Sequence, residues 1–410
     1  MHFGTFFFYA LDSINKLIRV TTVDLSLHVL LEGQLGFLNR EFEVVGVAAD
    51  TGLLKAVGDR EGIKVIEVPM HRDIALWSDI KCLCRLVRIF KKEKPFIVHS
   101  NTPKGSLLSM IAAKLTRVPN RIYLVTGLRF QGERGAKRWL LKTMEWLACS
   151  CATKVIPEGL GVKKTLIEEG ITRKPLEVVH NGNINGIDMA YYSPEACPRS
   201  REEMRRELGL GEDDFAFVFI GRIVGDKGMN ELAEILRCAQ DDKGCTGDGS
   251  GCTQDGKGDA LSDRCKLILV GPFESELDPL EEGNEEFFRT SGNVRYVGYQ
   301  SDVRPYLLAA DALVFPSYRE GFPNVVMQAG AMGLPSIVTD INGCNEIIVE
   351  GENGRIIPPR DKEALMNMMT WFVEHPSEVA GMAANAREMI ASRYDRQDVW
   401  NALLEMYKSL

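Results

Sequence analysis

The sequence predicts an α/β protein of two Rossmann-like, doubly wound domains, and three observations lead there. Short β-branched apolar runs alternate with helix-patterned stretches, which calls for parallel sheets joined by crossover helices. The alternation occurs twice, interrupted at 181–198, where NGNINGID and YYSPEACP are polar, turn-rich and proline-bearing. With 410 residues and 45% hydrophobic content, the chain is long enough for two domains with full cores.

Residues 1–15 form an extension ahead of the first strand. MHFGTFFFYAL is apolar but too short to span a bilayer, and it lacks the positive start of a signal peptide; contact with a membrane is the alternative to an inert extension. The first domain, 16–190, takes its strands from KLIRVTTV, EFEVVGVAAD, IKVIEVPM, FIVHSN, RIYLVTG, KVIPEG and LEVVHNG. The second domain, 191–390, takes FAFVFIGR, CKLILVGP, NVRYVGY, DALVFPS, PSIVTD and NGRIIPP. From about residue 362 the pattern is helical, and the final amphipathic piece, within 391–410, can cross back to brace the first domain.

Residues 238–264 lose all periodicity and become near-identical seven-residue units, CAQDDKG, CTGDGSG and CTQDGKG. The spacing matches no zinc or EF-hand pattern, so a solvated insert is the plain reading and a Cys/Asp metal site the sharp one. GDGSG follows no strand and opens no helix, and so fails as a dinucleotide fingerprint. A net charge of −8 argues against binding nucleic acid by mass electrostatics. Ten cysteines without a secretory signal point to reduced thiols and a cytoplasmic protein. Cys82, Cys84, Cys149 and Cys151, in pairs with one residue between, are expected as buried or half-buried thiols.

Chemistry concentrates in the second domain. In 317–346, SYREGFPNVVMQAGAMGLPSIVTDINGCNE, a strand ends at Phe315, a loop carries Glu320 and Gly321, and Pro323 suits the opening of a helix. The next strand, SIVTD, delivers residues 343–346 to the same carboxyl edge, where parallel sheets bind ligands. A helix N-terminus behind a glycine-bearing loop suits a phosphate or diphosphate. Upstream, FVFIGRIVGDKG places Gly221 and Arg222 at the end of a strand and Lys227 just beyond. A planar fork and a point charge together neutralise a diphosphate without a metal. No D-x-D triplet for Mg²⁺ occurs in the chain.

GRIVGDKG, LILVGP, VRYVGY, DALVFPSYREGFPNVVMQAGAMGLPSIVTD and GCNEII, in this order and spacing, resemble the donor-binding half of a family 4 glycosyltransferase of the GT-B fold. IVHSNTPKGSLLSMIAAKL and VTGLRF resemble acceptor-domain loops of bacterial enzymes that build capsule, O-antigen or other undecaprenyl-linked glycans, including those adding an N-acetylhexosamine. The resemblance implies two facing domains with a central cleft and a retaining transfer from a UDP-sugar to a lipid-linked saccharide. Cytoplasmic placement with peripheral contact at the inner face of the membrane is implied as well, with no nucleic-acid partner and no metal cofactor. Carried over by position, Arg222 and Lys227 bind the diphosphate and stabilise it as leaving group, and Glu320 bonds the donor sugar. The backbone of Gly221, Gly321, Phe322, Pro323, Asn324 and Val325 meets sugar and diphosphate, and the segment around Tyr299 holds the base.

One departure concerns the ribose. The family pattern is a Glu, seven intervening residues, then a second Glu, and here Gln328 stands at that second position. A Gln amide has one acceptor oxygen where a carboxylate has two, so either donor affinity is weakened or Gln328 is this chain's adequate version of the contact. A homologue that binds nucleotide sugar without turnover is therefore the alternative function; a sugar-nucleotide epimerase on the same fold is a second one. His99 is expected as a buried strand-end residue, with Asn101 two positions on. Arg129, Arg134, Lys137 and Arg138, ahead of a helix with Trp139 and Trp146, form either a lipid-facing surface or the solvated end of a core-facing helix. RLVRIFKKEK at 85–94 is read the same way.

Overall fold

The computed structural model describes residues 14–71, 75–241, 264–274, 276 and 278–410. The expected insert therefore lies largely outside the described residues, as does most of the N-terminal extension. The chain divides into two compact units, one holding the described residues up to Pro157 with Leu166–Glu177 and Leu403–Leu410, the other holding Glu158–Thr165 and Val178–Ala402. The division thus falls ahead of the polar break near residue 190 that the sequence suggests as a hinge.

The first unit is built on six parallel strands: β1 (Lys16–Val23), β2 (Glu43–Ala49), β3 (Lys64–Glu67), β4 (Ile97–Ser100), β5 (Asn120–Val125) and β6 (Lys154–Pro157). Their order is β3-β2-β1-β4-β5-β6. The central strands β1 and β4 are almost wholly buried, which is why they read as unbroken apolar runs rather than alternating ones. LEVVHNG, expected as a seventh strand, makes only an isolated bridge from Leu176 to Val155. His180 and Asn183 adopt positive φ of 52° and 64°, as does Gly182 at 96°, and the extended run cannot continue through left-handed backbone.

In the second unit the strands are β7 (Phe215–Ile220), β8 (Cys265–Val270), β9 (Val294–Gly298), β10 (Ala312–Phe315), β11 (Ser336–Thr339) and β12 (Gly354–Ile357). The order β12-β11-β10-β7-β8-β9 repeats the topology of the first sheet, again all parallel. Both sheets are doubly wound, with crossovers leaving the centre in opposite directions.

The C-terminal stretch is helical over Lys362–Glu374, Pro376–Tyr394 and Arg396–Lys408. Leu403–Leu410 belongs to the first unit. There the Tyr407 hydroxyl accepts from Arg19 Nη1 at 2.9 Å and hydrogen-bonds His99 Nδ1, and its ring meets Phe42 edge-on at 5.8 Å. Cys82, Cys149 and Cys151 are buried as expected, whereas Cys84 is exposed, because it lies on the outer face of the helix Leu76–Glu93. Among the described residues no helix is long and apolar enough to cross a membrane.

Candidate functional site

The second unit's topological switch point lies between β7 and β10, where the crossovers part and leave room at the carboxyl ends of the strands. Gly221 follows β7 directly and packs backbone to backbone with Gly271, at the end of β8. A Cβ on Gly271, whose φ is +138°, would come within 2.8 Å of the Gly221 carbonyl carbon. Lys227 ends a short 3₁₀ turn, and Gly228 at φ +72° lets the chain press against Pro316 before the helix Met229–Asp241 begins.

Across the switch point, Glu320 is carried by the loop after β10. Lys227 Nζ forms an ion pair with Glu320 Oε1, and Ser317 Oγ donates to the same oxygen at 3.0 Å. The two charged side chains are only 11% and 18% exposed, so their orientations are held by each other and by the Phe315 ring 5.9 Å from Lys227 Nζ. Arg222 is not brought to this pair. Its side chain is 45% exposed, and Nη1 meets Glu274 at 3.2 Å.

The helix opens at Asn324 and runs to Ala331, with Pro323 as the residue before its first turn and no side chain capping that end. Phe322 and Pro323 are buried, while Gly321, Asn324 and Val325 are half-buried. Gly343, at φ +74°, admits the loop after β11 to this one: a Cβ there would sit 2.6 Å from the Gly321 carbonyl oxygen and 2.7 Å from Phe322 Cα. Gln328, one turn along the helix, donates from Nε2 to the Tyr192 hydroxyl at 2.8 Å. Its Oε1 has no hydrogen-bond partner among the described residues. Tyr299 follows the edge strand β9 and is 76% exposed.

Sequence reasoning placed Glu346 at this edge without a partner and missed Glu158. Glu346 turns its carboxylate onto the first amides of the helix Leu160–Glu168, taking Leu160 N–H at 2.6 Å and Gly161 N–H at 2.9 Å. Glu158 is buried just ahead of that helix, and its pKa is raised well above the ordinary carboxyl value, first by burial and then by the charges of Glu320 and Glu346. Its only signal in the sequence is a carboxylate at a strand's carboxyl end, inside the run KVIPEG.

At the first unit's switch point, between β1 and β4, His99 and Asn101 are buried. Burial and the Arg19 charge push the His99 pKa well below its usual value, so the ring is neutral. The side-chain amide of Asn101 has no hydrogen-bond partner among the described residues. On the outer helices of this unit, large apolar side chains are exposed: Leu76, Trp77 and Ile80 on Leu76–Glu93, and Trp139, Leu140, Trp146 and Leu147 on Gly135–Cys151. The second helix therefore turns both of its tryptophans outward. Arg138 and Lys142 are tied to Glu169 at 2.6 and 2.7 Å, and Lys137 to Glu133 at 2.6 Å, so part of the expected basic cluster is compensated.

Comparison with known proteins adds two family matches. Residues 200–389 match the family described as "Glycosyl transferases group 1", and residues 35–182 match "Glycosyl transferase 4-like domain". Over 96% of its length the chain is 31% identical to the capsular polysaccharide biosynthesis glycosyltransferase CapM of Staphylococcus aureus, covering 97% of that protein. It is 26% identical, over 87% of its length and 86% of the relative's, to the Escherichia coli UDP-Gal:α-D-GlcNAc-diphosphoundecaprenol α-1,3-galactosyltransferase. In fold it resembles Anabaena HepE, crystallised in complex with UDP-glucose, at a TM-score of 0.75 and 20% identity, over 96% of this chain and all of that one.

Proposed function

Because the chain belongs to the group 1, family 4-like glycosyltransferases of the GT-B fold, we propose that it transfers a sugar from a UDP-sugar to a lipid-linked saccharide in bacterial surface polysaccharide synthesis. The observation that carries this reading is the Lys227–Glu320 pair across the switch point of the second unit, beside the uncapped N-terminus of the helix Asn324–Ala331. The transferred group is an N-acetylhexosamine, as in the enzymes whose acceptor-domain loops this sequence resembles, and its anomeric configuration is retained.

In this reading Lys227 and the helix end face the diphosphate, and Arg222 swings from Glu274 to join them. Negative charge grows on the departing UDP oxygen as the glycosidic bond breaks, and fixed positive groups stabilise that charge more than the ground state. Glu320, oriented by Lys227 and Ser317, accepts a hydrogen bond from a sugar hydroxyl. With arginine and lysine supplying the neutralising charge, and without a D-x-D triplet, the donor is held with no metal ion. The departing phosphate oxygen takes the acceptor's proton. The backbone of Tyr299 and its neighbours holds the uracil, and Gln328 Oε1 accepts from a ribose hydroxyl.

The acceptor's lipid calls for contact with a membrane surface, and the first unit offers one. On the helix Leu76–Glu93 the exposed face carries Leu76, Trp77 and Ile80, then Lys81, Arg85, Arg88, Lys91 and Lys92. The helix's two acids are engaged elsewhere, Asp79 with Lys104 at 2.6 Å and Glu93 with Lys16 at 2.7 Å. An indole ring, two aliphatic side chains and five cations that make no salt bridge among the described residues, all on one helix face, suit the interface of an anionic bilayer.

The test is to incubate the protein with a panel of UDP- and GDP-sugars and undecaprenyl-type diphospho-saccharides, following UDP release, product mass and product anomer. UDP release with a mass gain on the lipid, anomer retained, is the expected result. Donor binding without release under any acceptor is the outcome that favours a non-catalytic homologue, the reading to which Gln328 lends weight.

A further inference from the structure

Glu158 belongs to the same unit as Glu320 and Glu346 and is only 5% exposed. Its backbone is fixed to the donor loop from two sides. The carbonyl accepts Asn183 N–H at 2.9 Å, and Asn183 Nδ2 in turn donates to Oδ1 of Asn324, the first residue of the donor helix, at 2.9 Å. Gly182, at φ +96°, lies between Glu158 and Phe322: a Cβ there would stand 2.7 Å from the Glu158 carbonyl oxygen and 2.8 Å from the Phe322 ring. No hydrogen bond reaches the Glu158 carboxyl among the described residues, and its oxygens are not among the fully buried unpartnered atoms, so they keep a narrow contact with solvent.

A carboxyl that is largely withdrawn from water, open only through a narrow contact and bound to no protein group, adds little to the fold, and an apolar side chain would pack there as well. Its neighbours show what would complete it. The Asn183 and Gly182 contacts set Glu158 beside the donor loop, and Glu320 and Glu346 are near enough to act on its carboxyl electrostatically. Glu346 is occupied by the amides of Leu160 and Gly161, and Glu320 by Lys227 and Ser317, so neither serves Glu158. Ion-paired Glu320 can only accept hydrogen bonds. Burial, and then the charges of Glu320 and Glu346, favour the protonated form of Glu158, which adds the missing donor, and the pair together matches a ligand whose hydroxyls both give and take hydrogen bonds.

We propose that Glu158 is a sugar-binding residue of the donor site, its carboxyl hydrogen-bonding a hydroxyl or carbonyl oxygen of the transferred sugar beside Glu320. The inference rests on the donor-site reading above and adds to it a side chain from the loop that follows β6. It predicts that Glu158 contributes to binding of the sugar and not of the nucleotide.

The experiment measures, by calorimetry on the full chain, the affinities of UDP and of whichever UDP-hexose or UDP-N-acetylhexosamine the wild type binds best. In E158A the UDP-sugar should weaken by about tenfold while UDP stays within about twofold, and E158Q, which keeps a neutral donor and acceptor at the same reach, should recover most of the loss. Equal weakening of both ligands, no weakening of either, or a Gln variant no better than Ala overturns the proposal. If E158A fails to fold, E158D takes its place, because it keeps the acid and withdraws it by one methylene; the same selective loss is expected, and equal binding of both ligands at wild-type strength overturns the proposal. Failure of the wild type to bind UDP at all would instead sink the donor-site reading itself.

Discussion

Replacing Gln328 by Glu is the most direct probe of the nucleotide site. In the structure the Gln328 amide nitrogen is given to the Tyr192 hydroxyl at 2.8 Å, which leaves one neutral oxygen for a ribose hydroxyl. A carboxylate reverses the first bond, Tyr192 now donating to it, and turns the second from neutral into charge-assisted. Neutral hydrogen bonds contribute about 0.5–1.5 kcal/mol and those to charged groups about 1.5–3; the Tyr192 bond is present with and without UDP and cancels, so the gain comes from the ribose side, where charge-assisted bonds to both hydroxyls in place of one neutral bond give roughly 2–3 kcal/mol. Desolvating a carboxylate at this half-buried position takes back on the order of 1 kcal/mol. The net of about 1–2 kcal/mol corresponds to UDP binding roughly five- to thirtyfold tighter. Titration calorimetry with UDP and with 2′-deoxy-UDP checks both size and origin, since the gain should shrink when a ribose hydroxyl is missing. Unchanged UDP affinity in Q328E would show that Gln328 is already an adequate partner, and a full gain retained with the deoxy nucleotide would place the effect away from the ribose.

Three further outcomes are expected. Lys227→Ala should lower kcat by about 10²–10³, the usual cost of removing a fixed positive group from a developing oxyanion, whereas Arg222→Ala, a half-exposed side chain paired with Glu274, should cost about tenfold; steady-state UDP release distinguishes them, and equal effects would mean that the two share the diphosphate evenly. Glu145 is buried, takes a 2.6 Å hydrogen bond from Tyr123, and has its pKa raised to about 7, above its unfolded value, so its contribution to stability is full below about pH 4.5 and is lost as pH rises towards 7. Urea unfolding should therefore show the wild type losing about 2–4 kcal/mol across that window relative to Glu145→Gln, and parallel pH profiles of the two proteins would contradict this. Replacing Trp77, Trp139 and Trp146 together by serine should cut sedimentation with anionic vesicles at least about tenfold, each indole stabilising the bound state by roughly 1–2 kcal/mol; undiminished binding would move the membrane contact elsewhere.

How legible the molecule was depends on the range of the interactions concerned. Twelve strands could be read because each is a short apolar run; the central ones reflect two-sided burial, while the edge strands β3 and β9 are only partly covered. LEVVHNG has the same composition and is not a strand, since its fate is decided by the left-handed backbone at His180, Gly182 and Asn183. Lys227 and Glu320 could be assigned because both follow strands that the crossover pattern sets side by side. Arg222 sits equally close in sequence, but its direction depends on Glu274, 52 residues away. Gln328 was identifiable as a departure, while its partner Tyr192 lies 136 positions upstream. Glu158 was hidden by the largest separation, as its raised pKa comes from burial and then from the charges of residues 320 and 346.

The two sheets have the same strand order, so each offers a switch point, yet the two are furnished differently. In the first unit Asp24 is buried; burial alone would raise its pKa, but hydrogen bonds from the Thr51 hydroxyl and the amides of Thr51, Leu53 and Leu25 lower it, tying the carboxylate to its own loops. His99 is neutral, fully buried and bonded to Tyr407. Neither is placed to take a proton from an incoming hydroxyl. The second unit keeps Lys227 and Glu320 slightly exposed ahead of an uncapped helix end, with Arg222 half-exposed on Glu274, and a diphosphate's charge can be met there. A transfer that depended on a strong base would require the opposite distribution, with a titratable group accessible in the first unit. A transfer whose barrier falls by stabilising the leaving diphosphate, with that group's own oxygen receiving the acceptor's proton, requires fixed positive charge in the second unit and only positioning from the first. The burial pattern therefore favours leaving-group stabilisation, and with it the sharper loss expected for Lys227→Ala than for any substitution at His99 that leaves the fold intact.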